Sequence, residues 1–356
     1  MPADASTPST EPPPRGVEGP VPAPDSPPQV IDVHAHVIVP EILRDRGSGE
    51  TWRPRVHRDG DGRQVVEIAG RSVRSMVRPV TDIDAILAAQ DAAGVDRVLL
   101  SPVVTLVYYD AEPEAGLERC RIQNDGLEGL VEQEPERVSA LGLVPLQDPE
   151  LAADELHALM ARGWLSGVEV GASVLDVYLG DERFEPFWAA AAETGAVVFI
   201  HPRTRGFDDP IFDEHYLWNL VGNPMETTLT AAHLVLSGVI ERYPQLRIVL
   251  AHGGGALLAL RGRLRHGQHT IPSAGPKLQA EMYDSLRRFY YDTAVHDPAV
   301  LRTVVGFAGA EHVLLGSDYP FDMGELNPAE TVRAAALRDA DEAAVLGGNA
   351  QRLLAS

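Results

Sequence analysis

The stretch VIDVHAHVIVP, residues 30–40, predicts the first buried strand of the fold and carries two histidines separated by one residue. Side chains at positions i and i+2 of a strand point to the same face. His34 and His36 should therefore project together, and two imidazoles on one face form half of a site for a divalent metal ion such as zinc. By itself the motif fits two structural histidines buried in a core equally well. The ends of the later strands are needed to decide between a metal site and a structural role.

Eight short β-rich runs alternate with longer helical patterns along the chain. The predicted strands cover residues 30–36, 96–103, 138–145, 166–173, 196–202, 247–254, 289–294 and 312–320. The helical patterns between and after them cover residues 81–93, 118–134, 149–163, 184–195, 226–243, 297–309 and 328–340. The strands are too apolar for exposure on one face, so the alternation predicts an α/β fold, a (β/α)8 TIM barrel. A doubly wound open sheet is the alternative, but no GxGxxG motif follows the first strand.

Composition divides the chain into a tail and one barrel. Residues 1–29 are rich in Pro, Ala, Ser, Glu and Asp, and they predict a disordered tail. Residues 30–356 form the barrel, with residues 40–80 inserted between the first strand and its helix. In this insertion the run RQVVEIAGRSVRSMVR, residues 63–78, predicts a small hairpin beside the mouth where barrel enzymes keep their sites. The predicted hairpin carries Arg71, Arg74 and Arg78.

Charge and composition exclude several classes of partner. The formal net charge of −22, without a basic stripe, excludes nucleic acid. No apolar run reaches the ~18–20 residues of a membrane span, and the N-terminus lacks the basic and apolar regions of a signal peptide. A single cysteine, Cys120, excludes an intrachain disulfide framework. We therefore expect a cytoplasmic protein that neither enters a membrane nor binds nucleic acid.

Three later strands also end in residues that can ligate a metal ion. The fifth ends FIHP with His201, the sixth ends LAHGGG with His252, and the eighth ends LLGSDYPF with Asp318. Each residue alone fits a buried histidine or a helix-capping aspartate. Because the carboxyl ends of all barrel strands lie on one rim, these side chains should converge with His34 and His36, which predicts a metal site. The glycines after His252 should let the backbone approach a ligand closely.

This pattern of histidines and aspartate resembles that of the amidohydrolase superfamily, and in particular its branch of aminocarboxymuconate-semialdehyde decarboxylases and related zinc decarboxylases. The resemblance covers roughly residues 30–350. The stretches that carry it are HAHVIVP (34–40), LVGNPMETT (220–228), AHGGGALLALRGRLRHG (251–267), YDTAVHDP (291–298) and GSDYPFDMGELNP (316–328).

The resemblance implies one divalent metal ion, with zinc expected and manganese as the alternative. It implies the following ligands, with a water completing the shell: His34, His36, His201 and Asp318. It also implies that Asp318 takes part in catalysis and that His252 is an acid/base beside the metal without ligating it.

Two arginines are implied to bind the substrate, a small carboxylic acid. Arg74 looks like the arginine that binds a substrate carboxylate from the same insertion, a task that suits its planar fork. Arg263 resembles an arginine that reaches the site of the neighbouring subunit, which implies a homodimer.

The scarcity of lysine excludes one subtype of this superfamily. Binuclear members bridge two metal ions with a carbamylated lysine, typically at the end of strand four. Here that strand reads VEVGAS, and the only lysine of the chain is Lys277, far from it. Glu169 in this strand could bridge two ions in principle, but a structural role is the simpler interpretation.

The implied reaction is nonoxidative decarboxylation of an unsaturated or aromatic carboxylic acid similar to 2-amino-3-carboxymuconate 6-semialdehyde. A metal-dependent hydrolase or hydratase on the same barrel, acting on a C–C bond, a lactone or an amide, is the alternative. A catalytically inactive binding protein is a third class, and it predicts no bound metal.

Other residues near the strand ends suggest supporting roles or a departure from the family. Asp292 should orient a ligand or a loop, and Asp297 before Pro298 should cap a helix. After strand five, Arg203 and Arg205 add positive charge that the family lacks, and we expect this loop to line the pocket. The substrate could therefore carry an extra carboxylate or a bulkier ring.

Overall fold

The computed structural model describes residues 29–44, 50–68, 71–203, 209–273 and 278–355. The predicted tail lies outside these residues, apart from Gln29. Arg205 and Lys277 also lie outside them, and only the backbone of Arg71 is described.

Thirteen strands are present in the described residues. They are β1 (Ile31–Val37), β2 (Arg55–Arg58), β3 (Gln64–Ile68), β4 (Arg71–Val73), β5 (Arg97–Pro102), β6 (Val138–Gly142), β7 (Gly167–Gly171), β8 (Ser173–Val174), β9 (Val177–Tyr178), β10 (Val197–His201), β11 (Arg247–Leu250), β12 (Tyr290–Asp292) and β13 (Val313–Leu314). Eight of them form one parallel sheet in the order β1-β5-β6-β7-β10-β11-β12-β13. These are the eight predicted strands; β1 has its predicted length shifted by one residue, and the other seven are shorter than their apolar patterns.

The sheet closes on itself, so the barrel prediction is confirmed and the open sheet is excluded. The segment from β13 onward runs beside β1, where the backbone N–H of Val33 donates to Leu315 O at 2.9 Å. Further along, the N–H of His36 donates to Tyr319 O at 2.7 Å. The eight strands therefore form a ring, although the regular part of β13 is only Val313–Leu314. Asp318, after this strand, has a positive φ of 57°.

Helices surround the barrel. They are α1 (Pro40–Leu43), α2 (Ile83–Ala92), α3 (Pro113–Gln133), α4 (Pro149–Arg162), α5 (Glu185–Thr194), α6 (Asn223–Leu236), α7 (Val239–Arg242), α8 (Leu257–Thr270), α9 (Met282–Leu286), α10 (Pro298–Ala308), α11 (Pro328–Ala334), α12 (Asp339–Ala343) and α13 (Asn349–Leu354). The carboxylate of Asp297 accepts from Ala299 N at 2.6 Å and caps α10, as predicted. Among the described residues, none of the helices combines the length and apolarity needed to cross a bilayer.

Three helical predictions are corrected. The helix predicted over residues 226–243 is two helices, α6 and α7, because Gly238 interrupts it with a φ of 81°. The helix predicted over 328–340 is likewise divided into α11 and α12. Helix α8 was not predicted, since its sequence LLALRGRLRHGQHT buries only Leu257 and Leu258 and has little apolar periodicity.

A bulge in β1 sets the direction of its histidines. Asp32 pairs with Val98 and Ala35 with Leu100, so β1 has one residue more than β5 between these two pairs. Val33, which lies within the bulge, packs in the apolar cluster that fills the barrel interior. The extra residue interrupts the in-and-out alternation of side chains along β1. As a result Val33 and His34, which are neighbours in sequence, both point into the barrel.

The insertion forms a small antiparallel sheet against the barrel mouth. β3 and β4 are the predicted hairpin, and β2 adds a third strand that was not predicted. Met76 forms a β-bridge with Phe321, which follows β13. The insertion is therefore attached to the segment that carries Asp318.

Candidate metal centre and cavities

Four ligand atoms converge inside the carboxyl end of the barrel. One atom from each residue lies within 4.8 Å of the others, and the four buried residues are His34, His36, His201 and Asp318. Strand β1 supplies the first two, the end of β10 supplies the third, and the turn after β13 supplies the carboxylate. The chain thus joins elements that are almost 300 residues apart into one ligand set.

The converging atoms have no hydrogen-bond partner among the described residues. They are Nε2 of His34, His36 and His201 and Oδ1 of Asp318. Asp318 Oδ1 lies 3.3, 3.4 and 3.8 Å from the three nitrogens in that order. Buried polar atoms without partners are costly, and three imidazoles with one carboxylate are ligands that a divalent ion takes. The residues therefore fit one divalent metal ion.

The other ring nitrogen of each histidine is held by the protein. His34 Nδ1 lies 2.6 Å from Asp292 Oδ2, and His201 Nδ1 lies 2.9 Å from Pro202 O. His36 Nδ1 lies 3.2 Å from the hydroxyl of Ser101. An acceptor at Nδ1 keeps the proton on that nitrogen and leaves Nε2 free to ligate a metal. The predicted orienting role of Asp292 has this contact as its structural basis.

Burial and neighbouring charges act in opposite directions on the pKa values of the ligands. Burial lowers the pKa of His201 to about 3, so its imidazole is neutral. Burial raises the pKa of Asp318, but the charge of His34 and the contact with His252 outweigh it and hold that pKa well below its usual range. A neutral imidazole and an ionised carboxylate are the forms that bind a metal.

Glu169 supports the ligand His36 from behind. Its Oε2 accepts from the hydroxyl of Ser101 at 2.5 Å and lies 3.5 Å from His36 Nδ1. Burial raises the pKa of Glu169. These contacts agree with the structural interpretation of this residue.

His252 lies beside the ligand set without belonging to it. Its Nε2 is 3.3 Å from Asp318 Oδ2, the carboxylate oxygen that does not face the three ligand nitrogens. The backbone of His252 has a φ of 56°, and the next residues continue in positive φ. A Cβ on Gly255 would lie 2.0 Å from Pro224 O. Gly255 is therefore required by close contact with protein backbone, and the approach of these glycines to a ligand stays a prediction.

The ligand set opens into a cavity of about 660 Å³, which we call the main cavity. His201, His252 and Asp318 lie at its inner end. Its walls include Met76, Trp218, Phe321, Arg63 and Arg74. The main cavity therefore combines a metal site with aromatic walls and guanidinium groups.

Of the arginines predicted in the hairpin, one lines the main cavity and another packs against the barrel. Arg74 lines the main cavity, and its side chain is 61% exposed, with its Nε 4.0 Å from Asp59 Oδ2. Arg63 lines it too and was not predicted, because a single arginine in a hairpin has no distinguishing pattern. Arg78 instead packs its guanidinium 4.7 Å from the ring centre of Tyr319.

Arg203 and Arg263 do not line the main cavity. The loop after strand five lines the main cavity through Tyr216 and Trp218, as expected. Arg203 itself packs over the ring of Tyr109 at 5.1 Å, and its backbone N–H donates to Glu226 Oε2 at 2.8 Å. Arg263 is exposed on α8, and its role in a neighbouring site stays a prediction.

A second cavity of about 210 Å³ is also bordered by His252 and Asp318. Four residues border both cavities: Asn219, Asn223, His252 and Asp318. The turn that contains Asn219 lies between the two cavities.

Comparison with known proteins identifies relatives over nearly the whole chain. Residues 31–355 match the sequence profile of the family described as Amidohydrolase. The 2-amino-3-carboxymuconate-6-semialdehyde decarboxylase of Dictyostelium discoideum is 29% identical over 331 residues, covering 91% of each chain. The crystal structure of 5-carboxyvanillate decarboxylase from Sphingomonas paucimobilis superposes with a TM-score of 0.78 at 29% identity, covering 92% of this chain and 99% of that one.

A third relative shares the fold. Dihydroxybenzoic acid decarboxylase from Polaromonas sp., crystallised with manganese and the inhibitor 2-nitroresorcinol, has a TM-score of 0.75 at 24% identity. The superposition covers 92% of this chain and 97% of the Polaromonas chain.

Proposed function

Because the chain belongs to the amidohydrolase family, we propose that it is a metal-dependent carboxy-lyase that removes CO2 without oxidation from an aromatic or unsaturated carboxylic acid. The observation that carries this proposal is the convergence of four unpartnered ligand atoms beside His252, at the inner end of a cavity lined by arginine. The two relatives at 29% identity, both decarboxylases, support the same reaction class.

The proposed ligands are the four converging residues, His34, His36, His201 and Asp318. When bound, a divalent ion supplies Lewis acidity toward an oxygen of the substrate. Zinc suits three imidazoles and one carboxylate, and manganese, which the Polaromonas enzyme holds, is the second candidate.

His252 is the proposed acid/base, and Asp318 positions it. In the reaction, the bond between the conjugated carbon and the carboxylate breaks, and its electron pair stays on that carbon. The imidazole of His252 supplies the proton that replaces CO2, as histidine does in general acid catalysis. The hydrogen bond from His252 Nε2 to Asp318 Oδ2 directs the ring toward the inner end of the main cavity.

Arg74 is the proposed anchor for a carboxylate of the substrate. Its guanidinium lines the cavity, where its planar fork can bind a carboxylate through two hydrogen bonds. The rings of Trp218 and Phe321 offer faces and edges to a conjugated substrate between the anchor and the metal. This combination favours an aromatic or extended unsaturated acid over a short aliphatic one.

The proposal includes a homodimer and a cytoplasmic location. Arg263 is exposed on α8, a position from which it can reach a second copy of the chain. The single cysteine, Cys120, is typical of proteins from reducing compartments.

The test is metal content and CO2 release from the purified protein reloaded with zinc or with manganese. The substrates are 5-carboxyvanillate, 2,6-dihydroxybenzoate and 2-amino-3-carboxymuconate 6-semialdehyde, and Asp318→Ala is the metal-free control. About one metal per chain with CO2 evolved supports the proposal. One metal with hydrolysis or hydration and no CO2 supports the alternative reaction class, and absence of metal binding overturns the proposal.

A further inference from the structure

The second cavity has walls that differ in chemistry from those of the main cavity. Its lining is chiefly apolar and includes Leu220, Pro224, Ala294, Val295, Val300 and Met323. Among the described residues, no arginine or lysine lines it, whereas Arg63 and Arg74 line the main cavity. Its polar lining residues include Asn219, Asn223 and His296, but a carboxylate that entered the second cavity would lose hydration without meeting a guanidinium group there.

The second cavity runs from the catalytic residues to solvent. At its inner end His252 and Asp318 border it, and the adjoining Ala294 is buried. At its outer end Leu220 and Val300 are 47% and 46% exposed. The space beside His252 therefore has a second, apolar opening in addition to the arginine-lined one.

The two products of decarboxylation differ in size and polarity, and therefore in the kind of opening through which each can leave. The conjugated product still fills the main cavity after the C–C bond breaks, because its conjugated system remains in contact with the aromatic side chains that line this cavity. CO2 is small, uncharged and without a hydrogen-bond donor, so apolar walls impose little desolvation cost on it. CO2 is also formed beside His252, where the second cavity begins.

We propose that the second cavity is the path by which CO2 leaves the site while the conjugated product is still bound in the main cavity. This inference rests on the proposed decarboxylase function. It assigns Val300 and Leu220 as residues that determine the rate of product release and have no part in the chemical step. Holding an apolar substituent of the substrate is the competing use of the same space.

The variant Val300→Trp tests the path by filling its outer opening. Val300 lies in the first turn of α10, far along the chain from the ligands and exposed enough to accept a larger side chain. Thr303→Trp is the matched control, because it adds the same group at an exposed position on the same helix that does not line the cavity. Leu220→Trp fills the opening from another element that lines it and replaces Val300→Trp if that variant does not fold.

The expected result is a slow step after bond cleavage. In Val300→Trp, kcat should fall at least about tenfold, equivalent to about 1.4 kcal/mol in the barrier to release. The 13C isotope effect on the carboxyl carbon should shrink toward its equilibrium value, because trapped CO2 is recaptured before it escapes. Thr303→Trp should retain the kcat and the isotope effect of the wild type.

Three outcomes would overturn the inference. One is a Val300→Trp enzyme, or its Leu220→Trp replacement, that equals the control in both measurements. Another is a loss of kcat with an undiminished isotope effect, which would place the defect in the chemical step. The third is a raised KM for ring-alkylated acids alone, which would assign the space to a substituent. Absence of CO2 from the wild type would instead overturn the decarboxylase proposal and this inference together.

Discussion

The carboxylate of Asp292 lies 2.6 Å from Nδ1 of His34, and both side chains are fully buried. The same carboxylate accepts from the backbone N–H of Gly253 at 2.8 Å, next to His252. One residue of β12 therefore orients the first metal ligand and the turn that carries the candidate acid/base. This link between strands one, six and seven has measurable consequences.

Asp292→Asn should weaken metal binding by about 10- to 100-fold, because the amide cannot hold the His34 proton on Nδ1 as the carboxylate does. Titration of the metal-free protein with zinc measures the effect. Asp297→Asn is the control, since its cap on α10 survives as asparagine. Equal zinc affinities in the two variants would contradict an orienting role of Asp292.

His252→Ala should keep its metal and lose at least about 100-fold in kcat, the size of a lost acid/base. Metal content and CO2 release are measured on the same preparation. His157→Ala, on the surface of α4 and 3.6 Å from Glu193, should leave both values unchanged. Loss of metal from His252→Ala would make this residue a ligand and contradict its predicted role.

Arg74→Ala should raise KM for the acid substrate, and Arg74→Lys should not restore it, because an ammonium group lacks the planar fork. Arg63→Ala is the matched control in the same insertion and the same cavity. Steady-state kinetics of the three variants separate the two arginines. A larger KM effect at Arg63 than at Arg74 would move the anchor to Arg63.

Arg263→Ala should abolish activity if this residue completes the site of a second copy. Mixing it with Arg74→Ala under conditions of subunit exchange should recover up to about a quarter of the activity, since half of the dimers are hybrids with one intact site each. The unmixed variants incubated in the same way are the control. Failure to recover activity after verified subunit exchange would refute a shared site.

Metal affinity should rise with pH. Burial lowers the pKa of His34, but the charges of Asp318 and Asp292 outweigh it and hold that pKa well above its usual value in the metal-free protein. His34 is therefore protonated below that raised pKa, and a metal ion must displace the proton. Affinity should increase about tenfold per pH unit up to that pKa, with proton release on binding.

Calorimetry in two buffers of different ionisation enthalpy measures the released protons. His201, whose pKa is lowered to about 3, should contribute none near neutral pH. Asp292→Asn removes one of the charges that raise the His34 pKa, so its affinity should level off at a lower pH. A zinc affinity that does not change between about pH 6 and about pH 8 would contradict this account.

The barrel and the ligand set could be predicted because both follow from local patterns. Apolar runs long enough for a strand alternate with amphipathic helices, and in a barrel all strands end on one rim. The residues selected as ligands, such as His201 and Asp318, are those whose atoms converge. Helix α8 escaped prediction because it buries only Leu257 and Leu258, which leaves no period to detect.

Contacts between segments that are distant in the chain could not be predicted from the sequence. The loop after strand five lines the cavity as expected, but its Arg203 has its backbone hydrogen-bonded to Glu226 and its side chain over the ring of Tyr109. Arg63 lines the cavity because β2–β4 pack beside Phe321. Neither outcome has a local signal in the sequence, since each depends on contacts with a segment that is distant in the chain.

The sequence by itself determined the eight-strand barrel, the identity of the converging residues and the absence of a lysine bridge. Those properties depend on residue type, apolar period and chain order, which are local. Only the tertiary structure decided that a bulge in β1 turns both Val33 and His34 inward, that Asp292 holds His34, and that an apolar cavity opens behind His252. These features arise from pairing register and from packing between elements remote in sequence, and such pairings are selected by the whole fold.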